Sequence, residues 1–240
     1  MNFWLFKSTY IVGLVSLVVA KFLLPDFLKY GKTLKQNKAP KSVTARLMHY
    51  TVPKSTFSHF YVLSSCLSVL TLCAYPQYGV VWLFLCHSLR RLYETLFVSA
   101  YNERSRMNWS HYLVGLWFYT SLHIILNVEL YNGNIKARFP SMALMTFCMA
   151  GWDQHQNHKI LAKLIKYSLP QTRFFRWVCC PHYTDEILIY TSLLAASREF
   201  IWPLIWVVAS LSLAGTECQK YYEEKFGPYA PRWALLPCVL

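Results

Sequence analysis

The chain has 240 residues, 55% of them hydrophobic and 17% aromatic, with a mean hydropathy of +0.26 and a formal charge of +13. That composition lies outside the range of an ordinary soluble domain and describes an integral membrane protein. The basic residues fall in gaps between apolar runs, a pattern of membrane topology rather than of nucleic-acid binding, and the eight scattered cysteines support neither a disulfide framework nor a CxxC zinc site.

The first apolar run, 3–24, is interrupted only by Lys7 and Lys21 and is long enough to cross a hydrocarbon core of about 30 Å. It lacks a small-residue cleavage site, which predicts a retained span. Pro25 ends it, and Lys29, Lys32, Lys35, Lys38, Lys41, Arg46 and Lys54 follow against Asp26 alone. The positive-inside rule makes this loop cytosolic. Further runs at 57–74, 78–100, 111–130, 139–151, 183–196 and 200–218 predict an all-α bundle of seven transmembrane helices. The sixth is short enough to form a hairpin with the seventh. Residues 1–240 form one domain, with 1–52 the first span and basic loop and 53–240 the part that carries chemistry. Counting spans puts 102–110, 153–182 and the carboxyl end in the cytosol. The acceptor triplet Asn108-Trp109-Ser110 falls on that side and is expected to stay unmodified. Cys238 stands one place too near the terminus for a prenylation box, so no lipid anchor is expected.

In the third span, helical spacing puts His87, Arg90, Arg91 and Glu94 on one face and Leu89, Leu92 and Leu96 on the other. Arg90 lies about 18 Å along the helix from Asn102, too deep to snorkel easily. Two arginines there require a polar cavity or a bound anion, unless Glu94 neutralises Arg90 as a structural pair. His59 opens the second span among aromatic residues, where an interfacial role competes with a catalytic one. Asp153, His155, Asn157, His158 and Lys159 prolong the fifth span as a helix leaving the membrane with a polar face over the bundle. His155 and His158 have metal-ligand spacing, but a lone HxxH with no second box argues for no metal. Pro181 precedes His182, and Asp185 and Glu186 begin the sixth span, where helix capping explains Asp185 better than Glu186. Tyr221, Tyr222, Lys225 and Arg232 join the same side. Such a mouth of cations, carboxylates, amides and rings suits a dinucleotide, although no GxGxxG or Walker sequence is present.

These residues carry a resemblance. The run His87 to Glu94, the VPKxxFxHFY run from Val52, the DQHQxHxIL run from Asp153, the CPHYxxE run from Cys180 to Glu186 and the ending from Tyr222 to Leu240 together resemble the steroid 5α-reductase family, nearest its polyprenal (polyprenol) reductase branch. The resemblance covers most of the chain from about Val52. It implies an NADPH-dependent reductase of the endoplasmic reticulum membrane that admits cofactor from the cytosol and a polyprenoid lipid from the bilayer, in dolichol synthesis supporting protein N-glycosylation. By motif position it gives cofactor contacts to Arg91, Gln154, His158, His182, Glu186 and Tyr222, with Arg90 beside them. Gln219 stands where relatives have histidine, and Ser168 where they have a basic residue. Ser88 replaces a tyrosine of the steroid branch and the Gln-Glu pair near His59 is absent, which argues against a steroid substrate.

Hydride adds poorly to the isolated double bond of an allylic alcohol, because the carbanion has nowhere to delocalise. In a conjugated aldehyde it adds at the β-carbon and charge flows to oxygen. The expected substrate is therefore polyprenal, and the protein must supply a donor to the developing oxyanion and a proton for the α-carbon. His59 is the expected donor, with Tyr61 or His87 as runners-up. Three other readings compete: a di-iron desaturase, an isoprenylcysteine-type methyltransferase and a non-enzymatic lipid carrier. The histidines form no metal boxes, the methyltransferase would bind S-adenosylmethionine, and a carrier needs no buried arginines.

Overall fold

The computed structural model describes residues 4–23, 50–101, 105–164 and 168–237. The basic stretch 24–49, Arg104, Lys166 and Cys238 lie outside the described residues. Seven α-helices run through the described chain: α1 (Trp4–Leu23), α2 (Phe57–Ala74), α3 (Gly79–Tyr93), α4 (Trp109–Tyr131), α5 (Ser141–Lys163), α6 (Pro181–Leu193) and α7 (Ile201–Phe226). Two three-residue strands, β1 (Thr51–Pro53) and β2 (Arg106–Asn108), pair antiparallel at the ends of α2 and α4, with Thr51 opposite Asn108.

Local sequence sets most boundaries. Asn108 is the N-cap of α4, its side chain accepting from the Ser110 amide at 2.9 Å, and it is buried, so the acceptor triplet serves as a cap. Pro181 opens α6 at the position where a missing amide costs nothing. Gly227 closes α7 with φ of +55°, a conformation that favours glycine. α3 gives way to a π turn, Glu94–Val98, closed by the Ser99 amide on the Glu94 carbonyl at 2.7 Å.

Among the described residues, three helical segments are long and apolar enough to cross a membrane: Lys54–Ala74, Trp109–Tyr131 and Arg198–Tyr229. α6 has 13 residues, which at 1.5 Å each reach about 20 Å, short of a hydrocarbon core of about 30 Å. The expected extension of the fifth apolar run past Gly151 is one continuous helix, α5.

α2 packs on α3 and α4, α5 lies along α6, and α7 covers α6 and α1. Where α2 meets α4, a Cβ at Gly115 would stand 2.6 Å from the Phe60 ring, so glycine is what lets this aromatic sit against the helix backbone. Tyr10 on α1 bonds Ser121 on α4 at 2.9 Å, and Lys7 reaches Glu199 at 3.0 Å, anchoring α1 by two polar contacts. A smaller core of Cys179, Cys180, Cys218, Tyr222, Ala234 and Leu235 forms beneath the tail. There the Cys179 and Cys180 amides donate to the carbonyls of Trp233 and Ala234, and the Thr184 hydroxyl donates to that of Leu235. The tail thereby fixes the start of α6, from which His182 and Glu186 project.

Candidate functional site

α3 presents His87, Arg90, Arg91 and Glu94 inward, while Leu89 and Leu96 are about half exposed on its outer side. Glu94 has no solvent exposure, and the π turn places it where four groups converge. Arg90 donates to it at 2.7 Å, Arg91 pairs with its other oxygen, and the His155 and His158 Nδ1 atoms lie 2.9 and 2.7 Å away. The alternative to a cavity or bound anion, an Arg90–Glu94 pair, exists, but it is one arm of a larger cluster. Arg91 also donates to the Tyr61 hydroxyl at 2.7 Å and stacks its guanidinium over that ring at 4.9 Å.

Gln154 ties this cluster to α6. Its Oε1 accepts from Arg90 at 2.7 Å, while its Nε2 donates to the His182 carbonyl at 3.1 Å and to the Glu186 carboxylate. Glu186 lies 3.7 Å from His87 Nε2, and Arg90 Nη2 stands 3.3 Å from His87 Nδ1. A guanidinium can only donate, so His87 Nδ1 accepts and its proton resides on Nε2. That atom is buried and has no hydrogen-bond partner among the described residues. The His182 ring packs between Tyr183 at 4.3 Å and His158 at 5.5 Å, with Phe175 at 6.2 Å.

His158 sits on the part of α5 that leaves the apolar run. Burial, with Arg91 beside it, pushes its imidazole down to about 4 against the opposing pull of Glu94. Its Nδ1 is 2.8 Å from Arg91 Nη1 and 2.7 Å from Glu94. One ring nitrogen cannot accept from the first and donate to the second at once, so the two contacts belong to two tautomers.

The structure thus brings together Tyr61, His87, Arg90, Arg91, Gln154, His158, His182 and Glu186. It leaves two of the residues singled out in the sequence elsewhere. His59 is exposed in the first turn of α2, its Nδ1 3.1 Å from the Tyr112 hydroxyl. Tyr222 is 3% exposed in the small core under the tail. Sequence reasoning underrated Glu94 and His155, which are separated by 61 positions yet in contact; only the helical spacing of Glu94 from the arginines hinted at its role. It also missed the bond from Asn157 to Asp185 at 2.8 Å and the pairing of Arg173 with Asp153.

Could the cluster hold a nicotinamide dinucleotide? Arg90 and Gln154 donate; Glu186 and the buried, unpartnered Asn157 Oδ1 accept. A carboxamide needs both kinds of partner, and the partly exposed His158, His182 and Tyr183 rings offer stacking faces, so the donor set fits such a group. Among the described residues, no group of three or more His, Cys, Asp or Glu side chains is arranged to hold a metal ion.

A small cavity adjoins the cluster, lined by Ser64, Phe84, His87, Ser88, Tyr119, Leu122, Phe147, Ile189, Tyr190 and Leu193. His87 belongs to both. Tyr119 makes a second link, its ring edge-on to that of Tyr61 at 5.4 Å.

The chain matches the family model described as 3-oxo-5-alpha-steroid 4-dehydrogenase over residues 93–240. It is 49% identical over 238 residues to the polyprenal reductase of Saccharomyces cerevisiae, covering 98% of this chain and 94% of that protein. It is also similar to the polyprenal reductases of Danio rerio, at 29% identity over 273 residues, and Caenorhabditis elegans, at 26% over 280. These alignments span 90% and 91% of the chain.

Proposed function

The chain belongs to the 3-oxo-5-alpha-steroid 4-dehydrogenase (steroid 5α-reductase) family and is a reductase acting on a CH–CH group, and from that premise we propose that it reduces the α-isoprene double bond of polyprenal to give dolichal, using NADPH. The observation that carries this proposal is the sharing of His87 between the charged cluster and the apolar cavity. Cofactor is held on one side of that residue and lipid on the other.

Arg90, Arg91, Gln154, His158, His182 and Glu186 hold the cofactor, with Tyr222 supporting from the tail. Bound there, the reduced nicotinamide supplies a hydride. Addition of that hydride at the β-carbon of the enal would shift the carbon–carbon π pair toward the α-carbon and carbonyl and leave the negative charge on oxygen. His87 Nε2–H donates a hydrogen bond to that oxygen without losing its proton. The neutral imidazole suffices, because its task is to polarise the carbonyl. The enolate then takes a proton, drawn ultimately from water, at the α-carbon. Of the three donors expected from sequence, His87 is preferred because it lines the cavity. Tyr61 is engaged by Arg91, and His59 lies outside with Tyr112.

The same proposal includes seven membrane crossings, an endoplasmic reticulum membrane location with a cytosolic carboxyl end, and a role in dolichol synthesis that supports protein glycosylation. The test is incubation of purified protein with NADPH and polyprenal, with products read by mass spectrometry. Dolichal with matching loss of NADPH supports the assignment; unchanged prenal overturns it.

A further inference from the structure

The outer surface of α5 changes character along one stripe. Met142, Met145, Met149, Trp152, Lys159 and Lys163 fall at helical intervals on a single face. The three methionines and Trp152 are each more than half exposed, and both lysines are exposed. A progression from thioether to indole to ammonium along one face is the profile of a side that meets acyl chains, then the interface, then headgroups and water. Trp152 therefore marks the level at which α5 leaves the bilayer.

A second element is fastened at that level. The turn Arg173–Arg176 is a 3₁₀-helix, with three residues per turn and so three edges. Phe175 takes the inward edge, with no solvent exposure and its ring 6.2 Å from that of His182. Arg173 and Arg176 take the next. Arg173 pairs with Asp153 and lies 5.2 Å over the Trp152 ring, while Arg176 Nε donates to the Gln171 carbonyl at 3.0 Å. Phe174 and Trp177 take the outward edge, both more than half exposed, with their rings 6.1 Å apart. Arg173 has φ of +55°, a left-handed conformation that is unfavourable for a residue with a side chain. Its two contacts on α5 hold it there, and they bring the turn beside Trp152.

Three large exposed rings, Trp152, Phe174 and Trp177, thus sit close together beside an acyl-facing stripe that ends in two lysines. Continuity with the methionines identifies what covers the rings as lipid, and the lysines identify the sign of its headgroups. We infer that the Arg173–Arg176 turn and the Trp177 that follows it are an interfacial anchor for anionic phospholipid. Phe174 and Trp177 enter the headgroup–acyl boundary next to Trp152, and Lys159 and Lys163 face the anionic headgroups above it. The inference rests on α5 crossing the membrane, as proposed above. The turn then has bilayer against its outward edge and, through Phe175, the His182 ring against its inward one.

The experiment uses full-length protein in nanodiscs of phosphatidylcholine, with or without phosphatidylserine, carrying bromine on the upper part of the acyl chains as a contact quencher of tryptophan. Subtracting the emission of Trp177→Phe from that of the wild type isolates Trp177, and Trp152→Phe isolates Trp152 in the same way. Both should be quenched to a similar extent by bromolipid and hardly at all by aqueous acrylamide. Phe174→Trp should add a component that bromolipid also quenches, which reads the outward edge even if Trp177→Phe does not fold. Phosphatidylserine should deepen the quenching of Trp177, and Lys159→Gln with Lys163→Gln should abolish that increment. Trp177 quenched by acrylamide but not by bromolipid is a loop in water, and Trp177 reached by neither is covered by protein, such as a second copy of the chain; either result overturns the inference while a quenched Trp152 leaves the α5 crossing in place. Equal quenching with and without phosphatidylserine overturns the anionic partner. A Trp152 that bromolipid does not quench removes the α5 crossing itself, and the inference with it.

Discussion

The Nδ1 atom of His158 lies 2.7 Å from Oε2 of Glu94, joining the polar extension of α5 to a carboxylate on α3's π turn that has no contact with solvent. Arg90, Arg91 and His155 close on the same carboxylate, so Glu94 is an anion on which groups from α3 and α5 converge.

Glu94→Ala should therefore be more damaging than loss of either arginine. It strands two partly buried guanidinium groups, and breaking a buried pair by removing one partner costs about 3–5 kcal/mol. Thermal unfolding in nanodiscs should show a lower midpoint than for Arg90→Ala. An equal midpoint would mean that the arginines find other partners.

His158 predicts a pH dependence. Its imidazole is pushed down to about 4 in the folded protein, below an ordinary value of about 6.5. The folded state thus binds fewer protons than the unfolded one between these limits. The stability attributable to the neutral ring is present above about 6.5 and is lost as pH falls toward 4. The groups facing it are Arg90 and Arg91 on α3, Glu94 on the π turn that follows it, and the His182 ring on α6. The unfolding midpoint should drop between pH 7 and pH 5, and the drop should be smaller in His158→Gln. Parallel profiles for the two proteins would contradict this assignment.

Gln154→Leu preserves approximate volume but removes the bridge between Arg90 and Glu186. Two of the lost bonds involve charged groups, each worth about 1.5–3 kcal/mol. NADPH should bind at least tenfold more weakly in a fluorescence titration, with the protein still folded. Unchanged affinity would place the cofactor elsewhere.

His59 and His87 are separable by exchange. With His87 Nε2 as oxyanion donor, His87→Phe should lower kcat about a hundredfold. His59→Ala should lose only its contact with Tyr112 and stay near wild-type turnover. The opposite ranking would return the donor role to the membrane edge.

How much of this was legible in the sequence depends on the range of the contacts. The second apolar run coincides with α2, and the inward face of α3 follows from spacing alone, because both are set within a few turns of one helix. The extension of α5 was equally visible as polar residues over an apolar stripe. Glu94 as a hub was not, since His155 and His158 meet it from more than sixty positions away. The hydrogen bonds of Ser64 to Ser88 and His123 gave still less signal: small hydroxyls inside apolar runs carry no periodicity, and their pairing exists only once three helices are packed. The shortness of α6 was readable, but not that main-chain bonds from the tail would hold its first turn.

The cluster around Glu94 cancels its own charge: two guanidinium groups face two carboxylates, with His158 neutral. A polyanion approaching from the aqueous side meets no net pull from it beyond about 10 Å. Long-range capture falls instead to exposed cations outside it, such as Arg176, whereas Arg173 is already paired with Asp153. Arrival and retention are therefore governed by different residues. Added salt should slow the association of cofactor while barely changing how long it stays.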